Sequence, residues 1–510
     1  MRCQSLRLSW GGLVNARLAA LGAFLFAVAT LIAGCGGGGS SGPTGPCGAA
    51  PSSPPVVTLV NGATQPSGPL GTTVVIQGAN FGNCQAAASG QVIFTGSAGP
   101  DTAAIASAAD WTNGLVVTTV PAGAVTGPLV VKTSLGTSAA VTFTIAAKVT
   151  FSPSTISWSS TTALPVGLSG HAVAAATLPG MTPTSVVYVV GGADSSDTPR
   201  DSVLYATVSN TGALGAWSNT TVLPTAVAFA AAVVATPANS PVTGSSYLYV
   251  LGGDSTASGK PLSTVYVGTL AAGGAVTGWS TTAMLPAAAH SLGAGIFNGN
   301  LYVAGGAGSG NARVATVYVA AIRSDGSLGT WQTLASLPVG RSYFGFGLNG
   351  TFLYAFGGDT GTVTPNDSSI SASAIGDVVY AQIDVRSGSL TAAGWTASAN
   401  KLKKAVTKHT AVVAGGNVLV TGGLYNGAST GSTEETYAAL NPDGSVGTFG
   451  GATGANTIST LCTAAIGASC NPFNHAATGY LDATGAFHVL VVGGDNVNAP
   501  TKKLKGVYYR

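Results

Sequence analysis

Leu301–Gly306 reads LYVAGG, and five other stretches of the chain repeat it closely. They are VYVVGG, LYVLGG, LYAFGG, VLVTGG and VLVVGG, which end in Gly191/Gly192, Gly252/Gly253, Gly357/Gly358, Gly422/Gly423 and Gly493/Gly494. A short apolar run rich in β-branched and aromatic residues, closed by turn glycines, has the length and content of a buried strand. Its return every 52 to 71 residues marks an internal repeat, and that period governs the fold before any local reading does.

The surroundings repeat as well. After each of the first five glycine pairs come a tyrosine (Tyr205, Tyr266, Tyr318, Tyr380, Tyr437), a turn glycine (Gly212, Gly274, Gly326, Gly388, Gly444) and then an aromatic. The aromatic is Trp217, Trp279, Trp331 or Trp395, with Phe449 in the fifth copy. Turns such as SDGSLGTW (Ser324–Trp331) join two short strands through a glycine able to take a positive φ. Each repeat therefore predicts an antiparallel sheet of about four strands. One such sheet cannot bury both its faces, so neighbours must stack, and stacking in a ring removes the exposed ends. The expected fold class is all-β, with a propeller over residues 150–510.

This pattern resembles the kelch-repeat family, in which a double glycine ends the second strand and an aromatic pair marks the third and fourth. The six copies and the two ends of the region point to six blades. The sixth glycine pair is followed only by GVYYR (Gly506–Arg510), so the segment STISWSS around Trp158 is expected to supply the missing outer strand and close the ring. A seven-bladed ring and an open array are the alternatives. A membrane β-barrel fits poorly, because its strands need about 9–11 residues to cross and these have about five.

Residues 56–146 precede the repeats and read as short alternating strands between turn signals. GTTVVIQGANFG (Gly71–Gly82), QVIFTG (Gln91–Gly96) and the run Val116–Ile145 resemble the IPT/TIG family of immunoglobulin-like domains. The resemblance implies a β-sandwich, with Gly78, Asn80, Phe81 and Gly82 at a turn after a core strand. The alanine-rich GPDTAAIASAAD is an insertion relative to that family.

The amino terminus carries an address. Arg2, Arg7 and Arg17 precede an apolar stretch that ends in Ile32-Ala33-Gly34-Cys35, the order of a basic region, an apolar region and a small-residue cut site. IAGC resembles the lipobox of bacterial lipoproteins, which implies a signal peptide at 1–34 and lipid attachment at Cys35. Gly36 after the cysteine resembles the outer-membrane class. Residues 35–55 are rich in Gly, Ser and Pro and read as a flexible tether. The expected location is outside the cytoplasm, held to the outer membrane by lipid.

Charged residues make up 7% of the chain against about 25% in ordinary soluble proteins. Mean hydropathy is positive, yet every apolar run after residue 34 is too short for a spanning helix. There are 19 Lys+Arg and 16 Asp+Glu; three arginines lie in the leader, which leaves 16 of each sign. That balance argues against nucleic acid as a partner. The clusters Lys401–Lys404 and Lys502–Lys505 read as solvated edges. Of six cysteines, Cys462 and Cys470 are expected to pair locally, and Cys47 with Cys84, in an oxidising compartment.

Candidate ligand contacts are few. His171, His290, His409 and His475 recur at one repeat position, with Phe229 and Phe344 in the other two copies, and the resemblance to kelch blades implies that this position lies on the innermost strand. Their reading is packing or hydrogen bonding rather than a metal site. Arg341, placed on an innermost strand, is a candidate contact for an anion. Asp194, Asp254, Asp359 and Asp495, just after the glycines, read as turn caps. Glu434 and Glu435 are adjacent and point to opposite faces if extended, a poor arrangement for paired carboxylate chemistry. No cofactor or catalytic group is implied. The sequence favours a non-catalytic binding or adhesion module for a protein or glycan. The alternatives are a kelch-type enzyme resembling galactose oxidase or sialic-acid mutarotase, and a structural component of a cell-envelope assembly.

Overall fold

Each double glycine sits where two sheets press together. The first glycines have φ between +55° and +62°, and a Cβ on Gly191 or Gly252 would lie 2.2–2.3 Å from the carbonyl oxygen of Val227 or Ala289 in the next repeat. Only glycine satisfies both the conformation and the contact. The computed structural model describes residues 51–510 except 182–184, 257–259, 362–372, 426–433, 453–455 and 468. The leader, Cys35, the start of the tether and Cys47 lie outside the described residues.

The protein is all-β, built from many small, mostly antiparallel sheets. Five repeats form four-stranded sheets in chain order, the first made of Ala172–Thr177, Ser185–Val190, Val203–Thr207 and Ser218–Asn219. A sixth sheet draws Ala476–Leu481, Phe487–Val492 and Val507–Tyr509 from the carboxyl end and Ser159–Ser160 from before the first repeat. In it Ser159 pairs with Tyr509 and Ser160 with Tyr508. The first strand of each sheet lies against the first strand of the next, and the sixth lies against the first. These contacts make a closed cycle.

A second cycle runs through the backbone. One residue ahead of each first strand takes positive φ: Gly170, Phe229, Ser291, Tyr343, Lys408 and Asn474, at 49–56°. Each donates its N–H to the carbonyl of its counterpart in the preceding sheet, over 2.6–3.4 Å, and Gly170 donates to Asn474. Six hydrogen bonds thus link all six repeats around one axis. Five of these residues are not glycine, so the ring holds strained backbone that the surrounding sheets must enforce.

Side chains fill the gaps between sheets. Tyr188, Tyr249 and Tyr302 of the second strands donate their buried hydroxyls to the carbonyls of Gly274, Gly326 and Gly388 at 2.6–2.7 Å, which are turn glycines of the following sheets. The indole N–H of Trp217, Trp279, Trp331 and Trp395 reaches back to the preceding sheet, each at 2.9 Å from a carbonyl oxygen. Trp158 is fully buried beside Val489, Val491 and Tyr508 and donates to Glu435 Oε2 at 2.8 Å. Burying a side chain of that size stabilises by at most about 4–6 kcal/mol.

A helix, Ile458–Ile466, is inserted before the sixth sheet. Thr457 caps it and Gly467 ends it in the left-handed conformation. The Cys462–Cys470 disulfide fastens it at a Cα separation of 5.6 Å. Cys84 is also disulfide-bonded; Cys47, its expected partner, lies outside the described residues.

Before the repeats, Val56–Val60, Thr73–Ala79 and Leu115–Thr119 form one sheet, and Gln91–Gly96, Gly99–Ala103, Ala124–Thr133 and Val141–Ile145 form most of another. Val74 and Ile76 of the first share a core with Val92, Phe94, Leu129 and Phe143 of the second. Phe81 is fully buried there, and its carbonyl accepts the Trp111 indole N–H at 2.9 Å. Hydrogen bonds join this part to the repeats: the Gln65 backbone N–H donates to Pro237 O at 2.7 Å, and the Thr64 hydroxyl to Val242 O at 2.9 Å.

Candidate functional site

The axis of the cycle is the place where six elements converge. The six positive-φ residues narrow one end of it. Phe229 and Tyr343 meet edge to face with ring centroids 5.9 Å apart, and His290 packs on both. Lys408 Nζ lies 5.3 Å from the Tyr343 ring centre and 5.8 Å from that of Phe473, while the Arg313 guanidinium lies 5.5 Å from Tyr343 on its own side. Phe229, Tyr343, Lys408 and Asn474 are all buried. Behind this layer two cavities of about 230 and 310 Å³ follow one another between the first strands. The first is lined by His171, His409 and His475 among others, and the second mainly by Ala, Val and Gly.

The charged groups around that end alternate in sign. Arg313 donates through Nε at 3.1 Å and Nη2 at 2.7 Å to Asp359 Oδ1, with both side chains almost fully buried. Lys503 Nζ lies 2.6 Å from both Asp495 and Asp197, and Asn474 donates to the other oxygen of Asp495 at 2.9 Å. Asp254 Oδ1 accepts the backbone N–H groups of Thr256 and Lys260 at 3.1 and 2.7 Å. Burial of such charges is tolerated because each has an opposite charge or donor at hand. Asp194 accepts N–H groups of Ser196 and Thr198, the turn cap expected for it.

Strand pairing corrects the alignment of the histidines. The residue before each double glycine lies opposite Ala172, Ala231, Gly293, Gly345, Thr410 or Ala476. One residue earlier stand His171, Ala230, Leu292, Phe344, His409 and His475. Three histidines therefore share a register, while His290 precedes it by two positions and Phe229 by one. The source of the misalignment is hairpin length. The shared position falls 13 residues before the glycine pair where the hairpin has a two-residue turn, as in the third, fourth and fifth repeats, and further back elsewhere. That interval of 13 selects Leu292 and was available in the sequence.

The three aligned histidines pack between sheets. His409 Nε2 is 3.1 Å from Phe356 O, and His475 Nε2 is 3.1 Å from the hydroxyls of Thr410 and Thr421. Burial, aided by proximity to His475, pushes His171 and His409 down to about 3, and burial takes His475 to about 4. All three are neutral near pH 7. His290 is also lowered by burial, which the Asp254 carboxylate opposes. One neutral tautomer satisfies it: Nε2–H donates to Asn311 Oδ1 at 3.1 Å, and Nδ1 accepts from Ser291 Oγ at 3.0 Å. Among the described residues no group of three or more His, Cys, Asp or Glu is arranged to hold a metal ion.

Arg341 does not serve the role expected of it. It lies ahead of the strand Gly345–Asn349 rather than on it, is 1% exposed, and donates through Nη1 to the carbonyls of Gly357 and Asp377 at 3.1 and 3.4 Å. Its guanidinium is buried against the fourth sheet, bonded to carbonyls that flank two of that sheet's strands. Glu435 is likewise structural: Oε2 accepts from Trp158 and Oε1 from the Ile458 N–H at 3.0 Å. Lys408 and Tyr343 were not singled out in the sequence. Only the alignment by strand pairing brings them to the axis.

No protein-family model matches the chain, and no curated protein matches it at a significant level. Among the described residues no helix is long and apolar enough to cross a membrane.

Proposed function

We propose that this chain is an exported lipoprotein, anchored through Cys35 and tethered by residues 35–55, that acts as a non-catalytic binding or adhesion module of the cell envelope. In this reading residues 56–146 are an immunoglobulin-like sandwich of IPT/TIG type and residues 150–510 a six-bladed kelch-type propeller. The cyclic contacts of the six first strands and the Ser159–Tyr509 pairing support the propeller. The shared core of the two amino-terminal sheets supports the sandwich.

One observation carries the functional reading. The ionic groups around the axis are engaged with one another or with the backbone: Arg313 with Asp359, Lys503 with Asp495, Asp254 with N–H groups, Arg341 with carbonyls. A general acid or base must reach its proton with a suitable pKa. Three buried histidines with pKa values near 3 to 4 meet neither condition at neutral pH. What such a surface offers a partner is hydroxyl, amide and apolar contact, which suits recognition of a glycan or a protein.

The test is a glycan array combined with a surface pull-down, using the lipid-free mature protein. Selective capture of a glycan or protein without turnover is expected. Release of a modified product from a bound sugar would overturn the reading. The anchor is tested apart from it: Cys35→Ser should abolish labelling by a fatty-acid probe in the membrane fraction, and equal labelling of the variant would remove the lipoprotein claim.

A further inference from the structure

A cavity of about 500 Å³ lies away from the axis, between the amino-terminal sheets and turns of the second, third, fourth and fifth repeats. Its volume is within the range of small-ligand sites, about 300–1,000 Å³. Its apolar side is formed by Ile296, Phe297 and Phe352. Opposite and around them stand Ser67, Thr73, Asn298, Asn349 and Thr351, whose side-chain amides and hydroxyls make no hydrogen bond with other described residues. The lining contains no charged side chain.

Two asparagines of the groove have a conformational reason to be there: Asn61 and Asn298 occupy positive φ in tight turns. Asn349 does not, and neither do Thr73 or Thr351, so turn geometry does not account for them. An amide presents a donor and an acceptor side by side, the spacing of two neighbouring hydroxyls. Apolar and aromatic surface opposite a row of amides and hydroxyls matches a ring with a C–H face and a polar edge.

We infer that this groove binds an uncharged oligosaccharide. The amides and hydroxyls hold the sugar's hydroxyl groups, and the Phe297 and Ile296 side packs on its C–H face. The inference goes beyond the binding-module reading by naming the place and the ligand class, and it does not depend on the number of blades.

The experiment titrates the full chain, purified in detergent, with neutral trisaccharides of glucose, galactose, mannose and N-acetylglucosamine, and with a uronic-acid trisaccharide as the charged comparison. At least one neutral sugar should bind. Asn349→Ala, which removes the amide, and Thr73→Trp, which fills the groove from an exposed strand position, should each weaken that binding about tenfold or more. Their melting temperatures should match the parent. Met284→Ser, at an exposed position in the connection leading into the third sheet, should leave binding unchanged. Failure of every neutral sugar to bind, preference for the uronic acid, or binding indifferent to both groove variants overturns the inference. Binding lost in Met284→Ser and kept in Asn349→Ala would move the site to the double-glycine end, overturning the groove while leaving the binding-module reading in place.

Discussion

The recurring tyrosine is the clearest case of one side chain with one job. Its ring fills the space between sheets, and its hydroxyl finds a turn carbonyl in the next repeat, so removing the oxygen leaves that carbonyl unpaired. Tyr249→Phe and Tyr302→Phe should each cost about 1–2 kcal/mol in chemical denaturation. Tyr354 occupies the same repeat position, but its hydroxyl has no partner. Tyr354→Phe should therefore be neutral or slightly stabilising, and a cost equal to that of Tyr302→Phe would contradict the hydrogen-bond assignment. The aligned histidines give a prediction of the opposite kind. Their folded pKa values, about 3 for His171 and His409 and about 4 for His475, lie below the ordinary value of 6.5. The unfolded chain then binds more protons at pH between those limits, so stability is complete above about 6.5 and falls as pH drops toward 4. Each histidine contributes a slope of up to about 1.4 kcal/mol per pH unit. Denaturation midpoints measured from pH 7 to 4.5 should show this decline, and the His171→Gln, His409→Gln double variant should flatten it.

At the scale of the strand and the turn, much of the structure was legible. LYVAGG announces a buried strand and its own stopping point, and the turn glycines and tryptophans give the order of the outer strands. What a reading by residue type obscures is register. Hairpins of unequal length between the first and second strands shift the apparent repeat position, which is why His290 was grouped with residues two places along and why Lys408 and Tyr343 went unnoticed. Arg341 misled for another reason: an arginine near an inner strand reads as a ligand contact until its guanidinium is seen capping two carbonyls. The helix Ile458–Ile466 was readable only as the spacing between two cysteines. Its anchorage depends on Glu435, which joins the helix N-terminus to Trp158. Trp158→Phe keeps most of the buried area but removes a donor from a carboxylate that is already shifted upward by burial. It should cost about 1–3 kcal/mol. Glu435→Gln leaves one acceptor oxygen for two N–H donors and turns an NH2 toward the other, so it should cost at least as much; a smaller cost in denaturation would show that relief of the buried charge outweighs the lost acceptor.

At the scale of the whole molecule, the repeats are tied shut by residues from the two ends of the repeat region. Ser159–Ser160 pairs with Val507–Tyr509, and Val507 and Tyr508 are almost completely buried on opposite sides of that strand, one among side chains of the first sheet and the other beside Trp158. Deleting Gly506–Arg510 therefore removes two core side chains, exposes the last paired edge of the sixth sheet and leaves Ser159–Ser160 without a neighbour. The loss amounts to several kcal/mol, read as a fall of at least about 5 °C in Tm. Its distribution is as informative as its size. In an open array each sheet depends only on its immediate neighbours, so the early repeats would melt as before and a second, lower transition would appear. In a closed cycle the truncation weakens the sheet that follows Asn474, the residue to which Gly170 donates at the join of the ring, and every sheet should melt earlier in a single transition. Calorimetry of the truncated chain, with tryptophan fluorescence following Trp158, Trp279 and Trp331 together, separates the two. A truncated protein that melts within a degree or two of the parent, or that retains an unshifted upper transition, would show that the cycle does not hold the repeats as one unit.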